Sequence, residues 1–327
     1  MRKLTLAAAT AAVLALVVTG CGPGGASASG QPSRTEAVVH TGPGGGSDVF
    51  AREVIKLLQQ NKVISGNWPV RNVTEGSGIG AMSYVIGKRG RNDTIAAITP
   101  TWLVTPLTLK NSSVSISDLQ PIAGLLVEPQ VLAVRADSPY RTARDFTDAA
   151  RQNSNLVQVG GSVTATDSLT GKALQAQTGA KWKFLSYSDS GQRIASLLRG
   201  DAQMMIGSTG DFAEQIRAGK LRVVAVIGDQ PLATFPQVST LAQQGFQVGG
   251  LPEEFRGFVG PQGMPADALR YYQDVLGKLV KTKAWQDYAK HNGDITQFMD
   301  AAAFGRFLST QNTAMTALVK QLDLGNQ

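Results

Sequence analysis

The chain has 327 residues, of which 17% are charged and 6% aromatic, with one cysteine and a formal net charge of +7. That length is more than one hydrophobic core comfortably serves, so two lobes are expected, and a lone cysteine excludes an internal disulfide or a cysteine metal site. The positive excess suits an anionic ligand or an anionic membrane surface. It is not gathered into an arginine-rich run with interleaved aromatics, which argues against nucleic acid.

Met1-Arg2-Lys3 is a basic start, and Leu4 to Val18 is an uncharged run of apolar and small residues. Such a run is too short for a membrane span and suits a secretory signal. It closes in Val18-Thr19-Gly20-Cys21, which resembles the bacterial lipobox, whose cysteine receives diacylglycerol and becomes the new N-terminus. Residues 1–20 are therefore expected to be a lipoprotein signal peptide, with Cys21 the lipidated residue. Residues 21–34, rich in Gly, Ser and Pro, read as a flexible linker. No later apolar stretch reaches the length of a span.

Glu36–Val39 predicts a short buried strand, followed by the turn His40-Thr41-Gly42-Pro43-Gly44-Gly45-Gly46-Ser47-Asp48. Phe50, Val54, Leu57 and Leu58 then mark a helix face. Glycines at a strand-to-helix turn let several backbone N–H groups address one anion with no Cβ in the way, and the helix dipole has the same preference. Ser47 or Asp48 reads as the N-cap. A plain chain reversal is the competing reading of the glycines. A nucleotide P-loop is excluded because Gly-Lys-Ser/Thr is missing, and a dinucleotide fingerprint fails on spacing. A second strand at 69–73, a Gly76–Ala81 turn, a helix at 81–88 and a strand at 95–98 follow, ending at Thr99-Pro100-Thr101. This alternation is the grammar of a doubly wound α/β sheet, where ligands gather at the carboxyl ends of strands.

Pro121–Val127 and Val131–Val134 are apolar runs broken by Glu128-Pro129-Gln130, the expected first crossing between lobes. The alternation then repeats, with helices at 142–152, 169–178, 191–199 and 211–218 and strands at 156–159, 183–187, 203–206 and 222–227. The loop 160–168 mirrors the opening turn, and two such turns, one per lobe, could face each other across a cleft. Glu253–Pro261 reads as a return strand, and helices follow at 266–282, 284–291 and 300–322. The division expected is 35–130 with 252–327 in one lobe and 131–251 in the other. Phe304, Phe307, Leu308, Met315, Leu318 and Val319 share a helical face and read as core.

Catalytic chemistry finds little support. The two histidines, His40 and His291, read as surface or packing residues. There is no zinc spacing and no nucleophile elbow. Asp48, Asp167 and Asp189 stand where N-capping accounts for them, and Arg256 suits a salt bridge to an oxyanion or to Glu254, the structural role being favoured. No catalytic residue, metal or cofactor is expected; a secreted lipoprotein hydrolase is the less favoured alternative.

Several stretches together resemble one family. They are Pro32-Ser33-Arg34 before the first strand, Gly44-Gly45-Gly46-Ser47-Asp48, Asp118–Ala123 and Leu197–Asp201. Ala218–Val226, Phe235–Leu241 and Arg256-Gly257-Phe258 with Pro261–Pro265 complete the series. In this order, over essentially the whole mature chain, they resemble the receptors of tripartite tricarboxylate transporters, the Bug-type solute-binding proteins. The resemblance implies an α/β, two-lobe, periplasmic-binding-protein-like fold (type II, Venus flytrap) with a ligand cleft between lobes. It implies a monomeric extracytoplasmic receptor, here lipid-anchored, that hands citrate or another small di- or tricarboxylate to a two-component membrane permease. By position, the implied ligand residues are Gly44, Gly45, Gly46, Ser47 and Asp48 with Ser162, Val163, Thr164, Ala165 and Thr166. Thr99 and Thr101 match a further ligand-side loop, and Tyr187, Ser188 and Ser208 line the strand ends of the second lobe. The chain departs from the family in its second loop, which is usually richer in glycine and often has histidine where Ser168 stands. A receptor that signals to a sensor kinase would use the same site.

Overall fold

The chain passes between two sheets twice, at Pro129 and between Val226 and Glu254, and the cleft lies where it crosses. The computed structural model describes residues 31–187 and 189–325. The first sheet begins with β1 (Glu36–Val39), α1 (Gly46–Gln60), β2 (Val70–Asn72), α2 (Ile79–Ile86), β3 (Thr94–Ile98), α3 (Thr101–Thr108) and β4 (Leu119–Glu128). The second is built from β5 (Gln130–Arg135), α4 (Ala143–Gln152), β6 (Val157–Gly160), α5 (Thr166–Thr178) and β7 (Lys183–Ser186). It continues through α6 (Ser190–Arg199), β8 (Met204–Ser208), α7 (Thr209–Arg217) and β9 (Leu221–Val226). The chain then returns to the first sheet with β10 (Glu254–Pro261), α8 (Ala266–Leu279), α9 (Lys283–Asn292), β11 (Ile295–Met299) and α10 (Ala301–Gln321).

The six-stranded sheet has the order β11-β4-β10-β3-β1-β2 and the five-stranded sheet β7-β6-β8-β5-β9. Strand β1 is parallel to both neighbours, and its Ala37, Val38 and Val39 are wholly buried. A continuous apolar run is what a strand covered on both faces requires. The sheets are mixed rather than purely parallel: β10 runs antiparallel to β3 and β4, and β5 antiparallel to β8 and β9. Each sheet has an apolar cluster on either face, so both lobes are three-layered.

Local sequence explains the tighter packing. Gly124 and Gly257 are cross-strand partners, and a Cβ on them would approach the Phe304 ring to 2.8 and 2.5 Å. Their bare backbone is what lets α10 lie on the sheet; a methyl at either position overpacks the contact. Phe304, Leu308, Met315, Leu318 and Val319 are buried as the periodicity predicts. Strand β11 was not expected. It is an edge strand with exposed Ile295 and Phe298, so it lacks the alternation that marks a half-buried strand.

The lobes touch on both sides of the crossing. Thr209 Oγ1 donates to the Asn292 carbonyl at 3.1 Å, and Thr105 Oγ1 approaches Thr164 Oγ1 at 3.4 Å. At the centre, Thr166 Oγ1 donates to Glu254 Oε2 at 2.7 Å.

Candidate functional site

Five strand-to-helix turns open on one cavity of about 460 Å³ between the sheets: β1–α1, β3–α3, β6–α5, β7–α6 and β8–α7. That volume suits a small organic ligand. Four of their helix starts, those of α1, α3, α5 and α7, lack the side-chain cap that Thr142, Thr282 and Asp300 give α4, α9 and α10. Helices α1 and α5 have Gly45 and Ala165 at the N-cap, in extended conformation, with no side-chain cap. The expected cap, Ser47 or Asp48, lies inside the first turn instead. Local propensity favours Ser or Asp at a cap; here the helix starts earlier and its first amides stay open. Among the described residues, the N–H groups of Gly46, Ser47, Thr166 and Asp167 find no protein acceptor, and all four residues line the cavity. Unsatisfied amides at a helix start, with the dipole behind them, form an anion site.

The two acids of these turns hold the loops. Asp48 is buried and accepts from Gly44 N–H at 3.0 Å, Asn72 Nδ2 at 2.9 Å and Arg52 Nε at 2.9 Å. Burial alone would raise its carboxyl, but these donors keep it below the usual range. Asp167 accepts Gly161 N–H at 2.8 Å and Ser168 N–H at 2.7 Å, and burial pushes its carboxyl up. Asp189 is a true N-cap, accepting from the Gln192 N–H at 2.9 Å.

Of the first turn, Gly44, Gly45, Gly46 and Ser47 line the cavity, whereas Asp48 does not. The Gly44 and Gly45 amides are already taken, by Asp48 and by the Gly42 carbonyl. From the second turn, Ser162, Ala165 and Thr166 line it; Thr164 is turned to Ser162 and Thr105, and Val163 is half-exposed at the loop tip. Thr99, Thr101 and Ser208 line the wall at the ends of β3 and β8. Tyr187 does not; its N–H continues the pairing to Gly160. Ser188 and Cys21 lie outside the described residues.

Sequence reasoning left out most of the charged floor. Arg256 grips Glu128 with two bonds, Nε to Oε1 at 2.7 Å and Nη2 to Oε2 at 2.9 Å, and stands 3.8 Å from Glu254. Burial lowers the Arg256 pKa, and the two glutamates more than offset that. Burial raises Glu254 to about 7 despite Arg256. Arg193 and Asp211 complete the floor, and burial also raises Asp211. These residues come from β4, α6, α7 and β10, so no local motif announces them.

His40 is a wall of the cavity rather than a surface residue. Trp102 Nε1–H donates to its Nδ1 at 2.9 Å, and Ser47 Oγ stands 3.2 Å from the same nitrogen. A serine beside a histidine invites a nucleophile–base reading, which two facts oppose. The indole can only donate, so it occupies the one lone pair that a base would need. Burial and then Arg256 lower the imidazole to about 3, far too weak for general-base work near neutrality. His40 is a neutral imidazole carrying its proton on Nε2. No cluster of three metal-ligating side chains occurs among the described residues.

Comparison with known proteins agrees with this geometry. The family described as tripartite tricarboxylate transporter family receptor matches residues 52–324. A UPF0065 protein of Bordetella pertussis is 23% identical over 299 residues, covering 90% of this chain and 92% of its own. Among solved structures, the periplasmic binding protein BugD superposes with a TM-score of 0.81 at 19% identity, covering 91% of this chain and all of its own. An R. palustris protein solved with adipate gives 0.79 at 19% identity, covering 90% of this chain and 98% of its own. These likenesses bear out the two-lobe α/β binding-protein fold, and the match over most of the sequence places the chain in the tripartite tricarboxylate transporter receptor family.

Proposed function

We propose that the chain is an extracytoplasmic receptor that binds a small di- or tricarboxylate in this cleft and delivers it to a two-component membrane permease. The observation that carries the reading is the pair of uncapped helix starts, α1 from the first sheet and α5 from the second, whose open amides line one cavity. A carboxylate between them closes 35–130 with 252–327 against 131–251. The adipate bound by a structural neighbour supports the ligand class. Val18-Thr19-Gly20-Cys21 supports a lipid anchor at Cys21, holding the receptor at the outer face of the membrane.

A thermal-shift panel of adipate, succinate, malate and citrate tests the class. Binding to the folded state alone contributes about 2.7 kcal/mol at a hundredfold excess over Kd. At least one acid is expected to raise the melting temperature and to be recovered intact; no shift from any of them, or chemical loss of the acid, overturns the receptor reading. For the anchor, Cys21→Ser is expected to release the protein from membranes or leave an uncleaved precursor. An unmodified wild-type thiol and unchanged fractionation would refute it.

A further inference from the structure

The cleft floor holds two guanidiniums in opposite situations. Arg256 is saturated, with Glu128 on two of its nitrogens and Glu254 beside it. Arg193 forms no ion pair among the described residues, although it lines the same cavity. Among the described residues, its Nη2 donates only to the neutral Ser190 hydroxyl within its own helix turn, and its Nε is enclosed with no acceptor. That leaves both hydrogens of Nη1, which faces Gly161, and one of Nη2 without an acceptor among the described residues.

Two further features argue that this is not an idle surface arginine. Arg193 sits in the first turn of α6, where the helix dipole disfavours a cation. Its neighbour across the cavity wall is Gly161, and a Cβ there would come within 3.4 Å of Nη1. Gly161 has no positive φ that would call for glycine, so its missing side chain leaves room beside the guanidinium. Asp167 and Asp211 feel the charge of Arg193, but neither makes a salt bridge to it.

We propose that Arg193 is a ligand-binding residue of the second lobe, taking one carboxylate of a dicarboxylate on Nη1 while the other carboxylate lies on the open amides of α1 and α5. The assignment rests on the receptor reading above and deepens it. It adds to the backbone amides a side chain that supplies the second anion contact. A planar guanidinium with free donors is suited to a carboxylate, and a charge-assisted bond of this kind is among the stronger single contacts a ligand makes.

Calorimetry on Arg193→Gln decides it, using whichever of adipate, succinate, malate or citrate gives the largest thermal shift, alongside the monoamide of that acid. Wild type is expected to prefer the acid to its monoamide. Arg193→Gln is expected to bind the acid about 10- to 100-fold more weakly and to lose that preference, with the melting temperature of the unliganded protein little changed. Unaltered affinity overturns the proposal. So does an equal loss for acid and monoamide with a lower unliganded melting temperature, which would make Arg193 a counter-charge to Asp167 and Asp211. Should the variant not fold, Gly161→Val keeps the charge and sets branched methyls beyond a Cβ that already meets Nη1 at 3.4 Å, and is expected to weaken the acid several-fold; wild-type affinity there also overturns the proposal. If no acid binds wild type, the receptor reading itself has failed, and the assignment with it.

Discussion

Arg256→Met is expected to destabilise the protein by about 3–5 kcal/mol at pH 8, the usual cost of leaving buried carboxylates without their partner. The guanidinium and Glu128 are only 14% and 11% exposed, and Glu254 is within 3.8 Å, so solvent does little to screen the loss. The deficit should depend on pH, with a definite sign. Glu254 and Asp294 titrate in the folded protein at about 7 and about 8, above their unfolded values, mainly through burial. A group raised in this way stabilises the fold fully at low pH and loses that contribution as pH climbs through the folded value. These two acids should therefore cost wild type stability between about pH 4.5 and 8, against the opposite trend that the lowered His40 gives below about pH 6.5. The variant should lose more through the acids, because Arg256 no longer offsets their burial. Urea unfolding of both proteins at pH 5 and pH 8 measures this. A gap that is small, or the same at the two pH values, would mean that Arg256 does not hold the floor together.

Gly46→Pro is expected to weaken carboxylate binding by about 10- to 150-fold while leaving the fold intact, the loss of one charge-assisted amide bond. Gly46 is the first residue of α1, a position proline tolerates, and Gly45 before it has φ −74° and ψ 160°, the extended form that a following proline requires. Side-chain space is adequate too, since a Cβ at Gly46 meets Arg256 no closer than 3.5 Å. The substitution thus removes one open N–H and little else. Gly45→Val is a poorer probe, because its Cβ would sit 2.6 Å from the Thr41 Cβ and disturb the turn itself. Thr166→Pro removes the equivalent amide of α5 but also frees Glu254, so Thr166→Val is its control for the hydroxyl. Calorimetry with the acid chosen by thermal shift reads the effect; wild-type affinity in Gly46→Pro would show that α1 does not hold the ligand.

Much of the fold was legible because its units are local. Glu36–Val39 carries the signature of a buried strand, the glycines after it mark the turn, and Phe50, Val54 and Leu58 set the helix phase. The crossing at Pro129 stood out as a break between apolar runs, and Glu253–Pro261 as a return strand. What stayed hidden was of two kinds. Strand β11 exists because β4 offers a free edge, and Ile295–Met299 has no pattern of its own to advertise it. The helix starts were misplaced because Ser47 and Asp48 are better caps than Gly45, and the chain sets that preference aside where the open amides face the cavity. The charged floor is the other kind. Glu128, Arg193, Asp211, Glu254 and Arg256 meet only after four elements have folded, and His40 gives no hint in sequence that Trp102 will take its Nδ1.

The position of β10 dictates an order of assembly. It lies between β3 and β4, yet it follows the whole of the second lobe in sequence. The five-stranded sheet has its last strand by Val226 and its buried core filled by Phe246, whereas the six-stranded one has a gap at its centre until residue 261 is available. In a chain emerging from its N-terminus, the second lobe can be complete while the first is still two fragments. Once folded, that lobe presents its first and last strands side by side, with Val131 opposite Val226. The long excursion from Glu128 to Glu254 then behaves as a much shorter loop, and the entropy of closing the first sheet falls accordingly. The lobe that completes last is the one whose β10 brings Glu254 and Arg256 to the floor, so Glu128 waits for its guanidinium partner until the second lobe has been made.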